Sequence, residues 1–152
     1  MIIKTEYGDI IELAKIYGYP MIHGCNCFHT MGAGLALQVK KQFPNAYKAD
    51  KCTTAHGDLC KLGSYSASRT NTWFYDVKII NAYTQYAPGP NVDYGAVFNA
   101  FKKINDEKPF GSSKFLIPKI GAGIAGGDWD LIEKLINLAT PDIEIILVEY
   151  RA

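Results

Sequence analysis

The chain has 152 residues, of which 48% are hydrophobic and 20% charged, and its net charge is +1. That length fits one domain with a core large enough to hold without disulfides. The near-neutral charge, with no basic block and no acidic tail, argues against wrapping nucleic acid, and no apolar run approaches the ~20 residues of a membrane span.

In chain order, Met1–Lys4 reads as a first strand, not as a signal peptide, which points to a cytoplasmic protein. Ile10–Ile16 fits a short helical turn or an extended crossing. Met21–Asn26 is a short strand. From Gly32 to Phe43, Leu35, Ala36, Val39 and Phe43 share one helical face, and Pro44 ends that helix. Asn45–Leu62 is polar and reads as an irregular surface excursion. Gly63–Ser68 alternates like a strand, and Trp73–Asn81 reads as a second one. Tyr83–Val92, with Pro88, Gly89 and Pro90, is a loop. Tyr94–Asn105 is a helix with Val97, Phe98, Phe101 and Ile104 on one face. Pro109–Ser113 is a turn and Lys114–Ile120 a buried strand. Asp128 is the expected N-cap of a helix over Trp129–Ala139, and Ile143–Tyr150 is the last strand. Strands alternate with helices, so a three-layer α/β domain follows.

Four cysteines stand at 25, 27, 52 and 60. A C-x-C pair with two distant cysteines fits no common zinc spacing, so Cys25, Cys27, Cys52 and Cys60 are expected as free thiols, with no metal site and no cofactor.

Two glycine-rich loops carry the functional signal. Each runs off an apolar strand and leads into a helix. The first is His23-Gly24-Cys25-Asn26-Cys27 followed by Met31-Gly32-Ala33-Gly34-Leu35-Ala36. The second is Ile120-Gly121-Ala122-Gly123-Ile124-Ala125-Gly126-Gly127. Strand, glycine loop and helix N-terminus bring backbone N–H groups close to an anion. Two such loops suggest a cleft that grips a diphosphate from both sides. Neither is a Walker A loop, since no Gly-Lys-Ser/Thr follows. Gly121-x-Gly123-x-x-Gly126 matches a dinucleotide fingerprint but lies near the C-terminus, without the acidic residue expected about 20 positions later.

The ordered set of Gly8-Asp9-Ile10, the first loop, the second loop and Trp129 resembles the macro domain over essentially the whole chain. Within that family it resembles the branch of terminal ADP-ribose glycohydrolases and ADP-ribose-1″-phosphate phosphatases. The resemblance implies a three-layer α/β/α fold with a mixed central sheet, and ADP-ribose or a derivative as ligand. It places Asp9 at the adenine amino group, with the Ile10 backbone beside it and Tyr150 stacking on the ring. It places Asn26 at the distal ribose, and Met31, Gly32, Ala33, Gly34 and Leu35 along that ribose and the adjacent phosphate. Ile120, Gly121, Ala122, Gly123, Ile124, Ala125 and Gly126 would cradle the diphosphate from the other side.

The glycohydrolases of that branch use a lysine and an acid. Here Asn81-Ala82-Tyr83-Thr84-Gln85 contains no lysine, and Ala125 stands at the acidic position. Both departures remove the groups for a Schiff-base route. Hydrolysis of ADP-ribose 1″-phosphate fits better, because it needs an oriented water and donors for the equatorial oxygens. His23, on the strand that enters the first loop, is the leading acid–base candidate, with Asn26, His29 and Asp128 as further catalytic candidates. A non-catalytic ADP-ribose module, a hydrolase of ADP-ribosylated macromolecules and an unrelated nucleotide-binding protein are the alternatives.

Overall fold

The computed structural model describes residues 1–52 and 55–151. Strand β1 (Ile2–Tyr7) runs to Gly8, and Asp9 then caps helix α1 (Ile10–Tyr17), its Oδ1 accepting from the backbone N–H of Ile11 at 2.9 Å. Gly18, in the left-handed region at φ 72°, closes that helix. Strand β2 (Met21–Cys25) leads through the first glycine loop into α2 (Gly34–Gln42).

Two sequence readings are corrected in the next stretch. Pro44 does end α2, but it also begins α3 (Pro44–Cys52). Proline at a first helical position lacks only an N–H that would go unpaired there. Asn45–Leu62 is therefore no irregular excursion. It contains most of α3 and a 3₁₀ turn at Leu59–Lys61, and it sends Ala46, Asp50 and Lys61 inward.

Strands β3 (Tyr65–Asn71) and β4 (Asp76–Tyr83) form a hairpin. The expected strand start at Trp73 is also corrected. Trp73 and Phe74 lie in the hairpin turn and are 100% and 93% exposed. Thr72 holds that turn by accepting from the N–H groups of Phe74 and Tyr75. Helix α4 (Tyr94–Glu107) is capped by Asp93, and a 3₁₀ turn at Pro109–Gly111 precedes β5 (Lys114–Ile117). That strand stops three residues short of the expected Ile120, because the backbone turns at Pro118 into the second loop. Helix α5 (Trp129–Ala139), capped by Asp128 as expected, and β6 (Glu144–Glu149) complete the chain.

The six strands form one sheet in the order β1-β6-β5-β2-β4-β3. All neighbours are parallel except the β3–β4 hairpin, so the sheet is mixed. Alternation along the strands sends side chains to both faces. Phe115, Ile117, Ile145 and Leu147 pack with Val97, Phe101, Ile132 and Ile136 of α4 and α5. Leu116, Ile146 and Val148 pack with Ile10, Ile11, Val39 and Phe43 on the side of α1, α2 and α3. The result is the expected three-layer α/β/α arrangement. Its consequence for the site is topological. The carboxyl ends of β1, β6, β5, β2 and β4 lie side by side on one rim of the sheet. There the β2–α2 and β5–α5 loops emerge from adjacent strands.

Candidate ligand-binding cleft

Two cavities lie along that rim. One, of about 500 Å³, is lined by the ends of β2, β4 and β5 and by both glycine loops. The other, of about 450 Å³, is lined by Gly8, Asp9 and Ile10 after β1, by Val148, Glu149 and Tyr150 at the end of β6, and by Gln38 of α2. Leu35, Pro118 and Lys119 line both, so the two form one cleft across five strand ends. The crevice outside the carboxyl ends of parallel strands is where open α/β sheets bind ligands.

The second loop needs glycine for close packing. Gly121 has φ 77°, and a Cβ there would stand 2.9 Å from Val92. A Cβ on Gly127 would meet the Gly121 carbonyl at 2.6 Å, the same carbonyl that accepts the Gly127 N–H at 2.7 Å. In the first loop the non-glycine residues His29 and Met31 take left-handed backbone angles, φ 57° and 39°. Such strain is held only where the surroundings enforce it, and it gathers at functional loops.

Helix α2 differs from α1, α4 and α5 at its N-terminus. Asp9, Asp93 and Asp128 accept from first-turn N–H groups of α1, α4 and α5, whereas Ala33, at the N-cap of α2, offers no side-chain acceptor. The α2 N–H groups therefore stay open, at the positive end of a helix whose first residues line the cavity. An anion is the natural partner for that end. Lys119 stands between the two cavities, paired with Glu149 at 2.9 Å, which holds its ammonium above the usual lysine range.

The 500 Å³ cavity has a buried polar floor. His23 is 1% exposed, and its Nε2 lies 2.7 Å from Asn81 Oδ1. Asn81 Nδ2 donates to the Ala46 carbonyl and to Ser66 Oγ, both at 3.0 Å. Ser66 Oγ is 2.7 Å from the Tyr83 hydroxyl, which donates to Asp50 Oδ1 at 2.8 Å. Lys61 Nζ reaches the same carboxylate oxygen at 2.8 Å, donates to the Asp50 carbonyl, and sits 4.4 Å over the Tyr83 ring. Asp50 Oδ2 and Thr84 Oγ1 have no hydrogen-bond partner among the described residues, and both residues line the cavity. Burial pushes the His23 imidazole below its usual range, against the pull of Asn81 and Asp50. Burial likewise pushes the Cys25 thiol well up and Cys27 to about 11, so both stay protonated at neutral pH. All four cysteines are free thiols.

The residues expected at the cleft are placed as follows. Asp9, Ile10 and Tyr150 line the 450 Å³ cavity. His23, Asn26, Met31, Gly32, Ala33, Gly34, Leu35, Ile120, Gly121, Gly123, Ile124 and Ala125 line the other. Ala122 and Gly126 belong to the second loop but line neither. Asp9 uses Oδ1 for its cap, and its Oδ2 has no hydrogen-bond partner among the described residues. Asn26 is tied into its own loop, accepting from Phe28 N at 2.8 Å and donating to Thr30 Oγ1 at 2.7 Å. Tyr150 is 76% exposed, open to a stacked ring. His29 packs towards His56, ring centroids 5.9 Å apart, and lines neither cavity. Asp128 caps α5, accepting from Asp130 N at 3.0 Å, and also stands outside both linings.

Sequence reasoning missed Asp50, Thr84, Gln85 and Lys119, all of which line the cleft. For Asp50 a signal existed. Ala46 and Asp50, four apart after a helix-starting proline, are the two buried positions of α3.

No protein-family model matches the chain. A 17.5 kDa protein of Enterobacteria phage T4, uncharacterized and encoded in the tk–vs intergenic region, is 42% identical over 155 residues, covering 99% of this chain and 97% of its own. An ADP-ribose 1″-phosphate phosphatase of Debaryomyces hansenii is 26% identical over 143 residues, covering 76% of this chain and 79% of that protein. Among solved structures, the macrodomain of Mycobacterium tuberculosis DarG superposes with a TM-score of 0.75 at 22% identity, over 97% of each chain. Thermosipho africanus DarTG in complex with ADP-ribose gives a TM-score of 0.74 at 18% identity, over 96% of this chain and 42% of that one. With a mixed six-stranded sheet between two helical layers, the chain has the fold of these macrodomains and belongs to the same family as the 17.5 kDa protein of phage T4.

Proposed function

We propose that the cleft binds ADP-ribose 1″-phosphate and hydrolyses its terminal phosphate ester, releasing ADP-ribose and inorganic phosphate. The observation that carries this reading is the pair of cavities joined at Leu35, Pro118 and Lys119, with the open N-terminus of α2 beside the larger one. A nucleoside diphosphate extended by a second sugar needs that plan: a flat, acceptor-bearing end, an anion-binding middle and a polar far end. The ADP-ribose complex of a protein with this fold and the phosphatase relative support the choice of ligand.

In this proposal Asp9 Oδ2 accepts from the adenine amino group and Tyr150 stacks on the ring. The diphosphate lies between the second loop and the α2 N-terminus, with Lys119 offering a cation. Asn26 faces the distal ribose, using the amide hydrogen and the oxygen lone pair that its loop contacts leave over. At the 1″-phosphate, water attacks phosphorus and gives its proton to neutral His23. The bond from phosphorus to the ribose oxygen breaks, and that oxygen is protonated from solvent. His29 and Asp128 reach the phosphate only if their loops move towards it, so catalysis is assigned to His23. A second reading, a non-catalytic ADP-ribose module, is favoured by the deep burial of His23 and by alanine at position 125.

The test is calorimetric titration with ADP-ribose, then measurement of phosphate release from ADP-ribose 1″-phosphate. Binding with release that His23→Ala abolishes supports the phosphatase. Binding without release supports the non-catalytic module. Failure to bind ADP-ribose overturns both readings.

A further inference from the structure

The buried floor of the cleft has a direction that its two ends impose. At one end stands the Ala46 carbonyl, which can only accept; the nitrogen of the Asn81 amide must face it, at 3.0 Å. The amide oxygen therefore faces His23, and the imidazole nitrogen 2.7 Å away must carry a hydrogen. At the other end stands the Asp50 carboxylate, paired with Lys61 and likewise able only to accept. Tyr83 must spend its one hydroxyl hydrogen on Asp50, so Ser66 must donate to Tyr83 and accept from Asn81. Both ends demand the same orientation of one amide. All the members are buried: His23, Asn81, Ser66, Tyr83 and Asp50 are each 7% exposed or less. A reversed amide would set oxygen against the Ala46 carbonyl and unmake the chain to Asp50, in surroundings where unpaired polar groups are costly.

We propose that Asn81 is a positioning residue for His23, clamped between the Ala46 carbonyl and the Ser66–Tyr83–Asp50 chain so that the imidazole is held as its Nε2–H tautomer with the Nδ1 lone pair free to take a proton. This rests on the proposed phosphatase for its use, though not for its geometry. Nε2 is committed, so His23 enters the reaction as a proton acceptor, through Nδ1. Among the described residues, the other side-chain polar atom close to the ring is Cys25 Sγ, 3.6 Å from Nε2 and 3.9 Å from Nδ1. The charged and titratable groups acting on the ring are Cys25 on its own strand and Asp50 of α3, and Asp50 in turn is bonded to Lys61 of the 3₁₀ turn and Tyr83 of β4.

The experiment is a long-range proton–nitrogen correlation spectrum of the whole protein labelled with ¹⁵N-histidine, recorded between about pH 5 and 8. For His23 we expect a protonated Nε2 and a bare Nδ1, with the imidazolium forming only at a pH below that of an ordinary histidine. A protonated Nδ1 with a bare Nε2, or an imidazolium at neutral pH, overturns the assignment. Asn81→Asp replaces the amide with a carboxylate and is expected to protonate both nitrogens at neutral pH; an unchanged His23 spectrum in that variant would show that the amide does not hold the ring. If Asn81→Asp fails to fold, Tyr83→Phe cuts the chain while keeping the ring. A severalfold rise in the Nδ1–H form is expected there, and none would remove Asp50 from the clamp. On ADP-ribose 1″-phosphate, Asn81→Asp should lower kcat at least tenfold with KM little changed. An equal loss in KM would assign Asn81 to binding instead. A wild-type protein that shows the expected tautomer but releases no phosphate overturns the proposed activity and leaves the positioning intact.

Discussion

At the end of the cleft under β1 and β6, the polar side chains of Asp9, Glu149 and Tyr150 are at least partly exposed and come from two short runs adjacent in sequence, Gly8–Ile10 and Val148–Tyr150. Under β2 and β4 they are buried and come from four elements, with His23 from β2, Asp50 from α3, Lys61 from the 3₁₀ turn and Asn81 and Tyr83 from β4. The first end recognises through single side chains that also serve local structure, as Asp9 does in capping α1. The second holds its groups in place through one another. Substitutions should therefore act on binding at the first end and on folding and protonation at the second.

The largest effect expected of this difference is at Lys61. Its side chain and that of Asp50 are each 1% exposed. Lys61→Met removes the ammonium and leaves a buried carboxylate without its counter-ion, which should destabilise by about 3–5 kcal/mol. Urea unfolding measures this. Asp50→Asn added to Lys61→Met should recover a large part of the loss, because the unpaired charge goes with it. A single variant within about 0.5 kcal/mol of wild type would mean that the pair holds nothing in place.

Between the two ends, Gly127→Ala tests the second loop. The added Cβ would stand 2.6 Å from the Gly121 carbonyl and 2.7 Å from Ile132. Overpacking of this kind costs about 1–3 kcal/mol. Since the loop must shift to admit it, ADP-ribose affinity should fall along with stability. Unchanged calorimetric affinity would show that the diphosphate does not rest on this loop.

The contrast also explains what could be read from the sequence. Asp9, Asp128, the two glycine loops and the strands Met21–Cys25 and Lys114–Ile117 act through neighbours within a few positions, so their roles are visible in local pattern. Asp50 and Lys61 are charged residues in a polar stretch, and charge alone reads as surface. Their burial comes from partners 33 and 11 positions away, Tyr83 for Asp50 and Asp50 for Lys61. Trp73 and Phe74 show the converse error. Aromatic residues suggest a strand, but the hairpin turns there and Thr72 supplies the turn. His23 was singled out by its place before the first loop; its partner, Asn81, lies on the neighbouring strand, opposite it in register.

At the exposed end, Asp9→Asn separates capping from recognition. Asparagine caps a helix about as well as aspartate, so stability should change by no more than a few tenths of a kcal/mol. A hydrogen bond to a charged group contributes about 1.5–3 kcal/mol. ADP-ribose affinity should therefore fall on the order of tenfold, provided the carboxylate meets the adenine amino group. Loss of stability with unchanged affinity would reduce Asp9 to a cap.

The smallest expected effect is a slope with pH, and it belongs to the buried end. Burial holds His23 below the ordinary histidine range of the unfolded chain, near 6.5. Above that value both states carry a neutral imidazole, and its contribution to stability is fully present. As pH falls through 6.5, the unfolded chain binds a proton that the folded protein refuses until its own lower value is reached. The unfolding free energy should therefore decline in that window, by up to about 1.4 kcal/mol per pH unit for this one group. His29 is also held low by desolvation and contributes with the same sign. The slope should thus shrink but not vanish in His23→Gln, which keeps a donor for Asn81. A slope unaltered by that change would place the titrating group elsewhere and mean that His23 binds its proton alike in the folded and the unfolded chain.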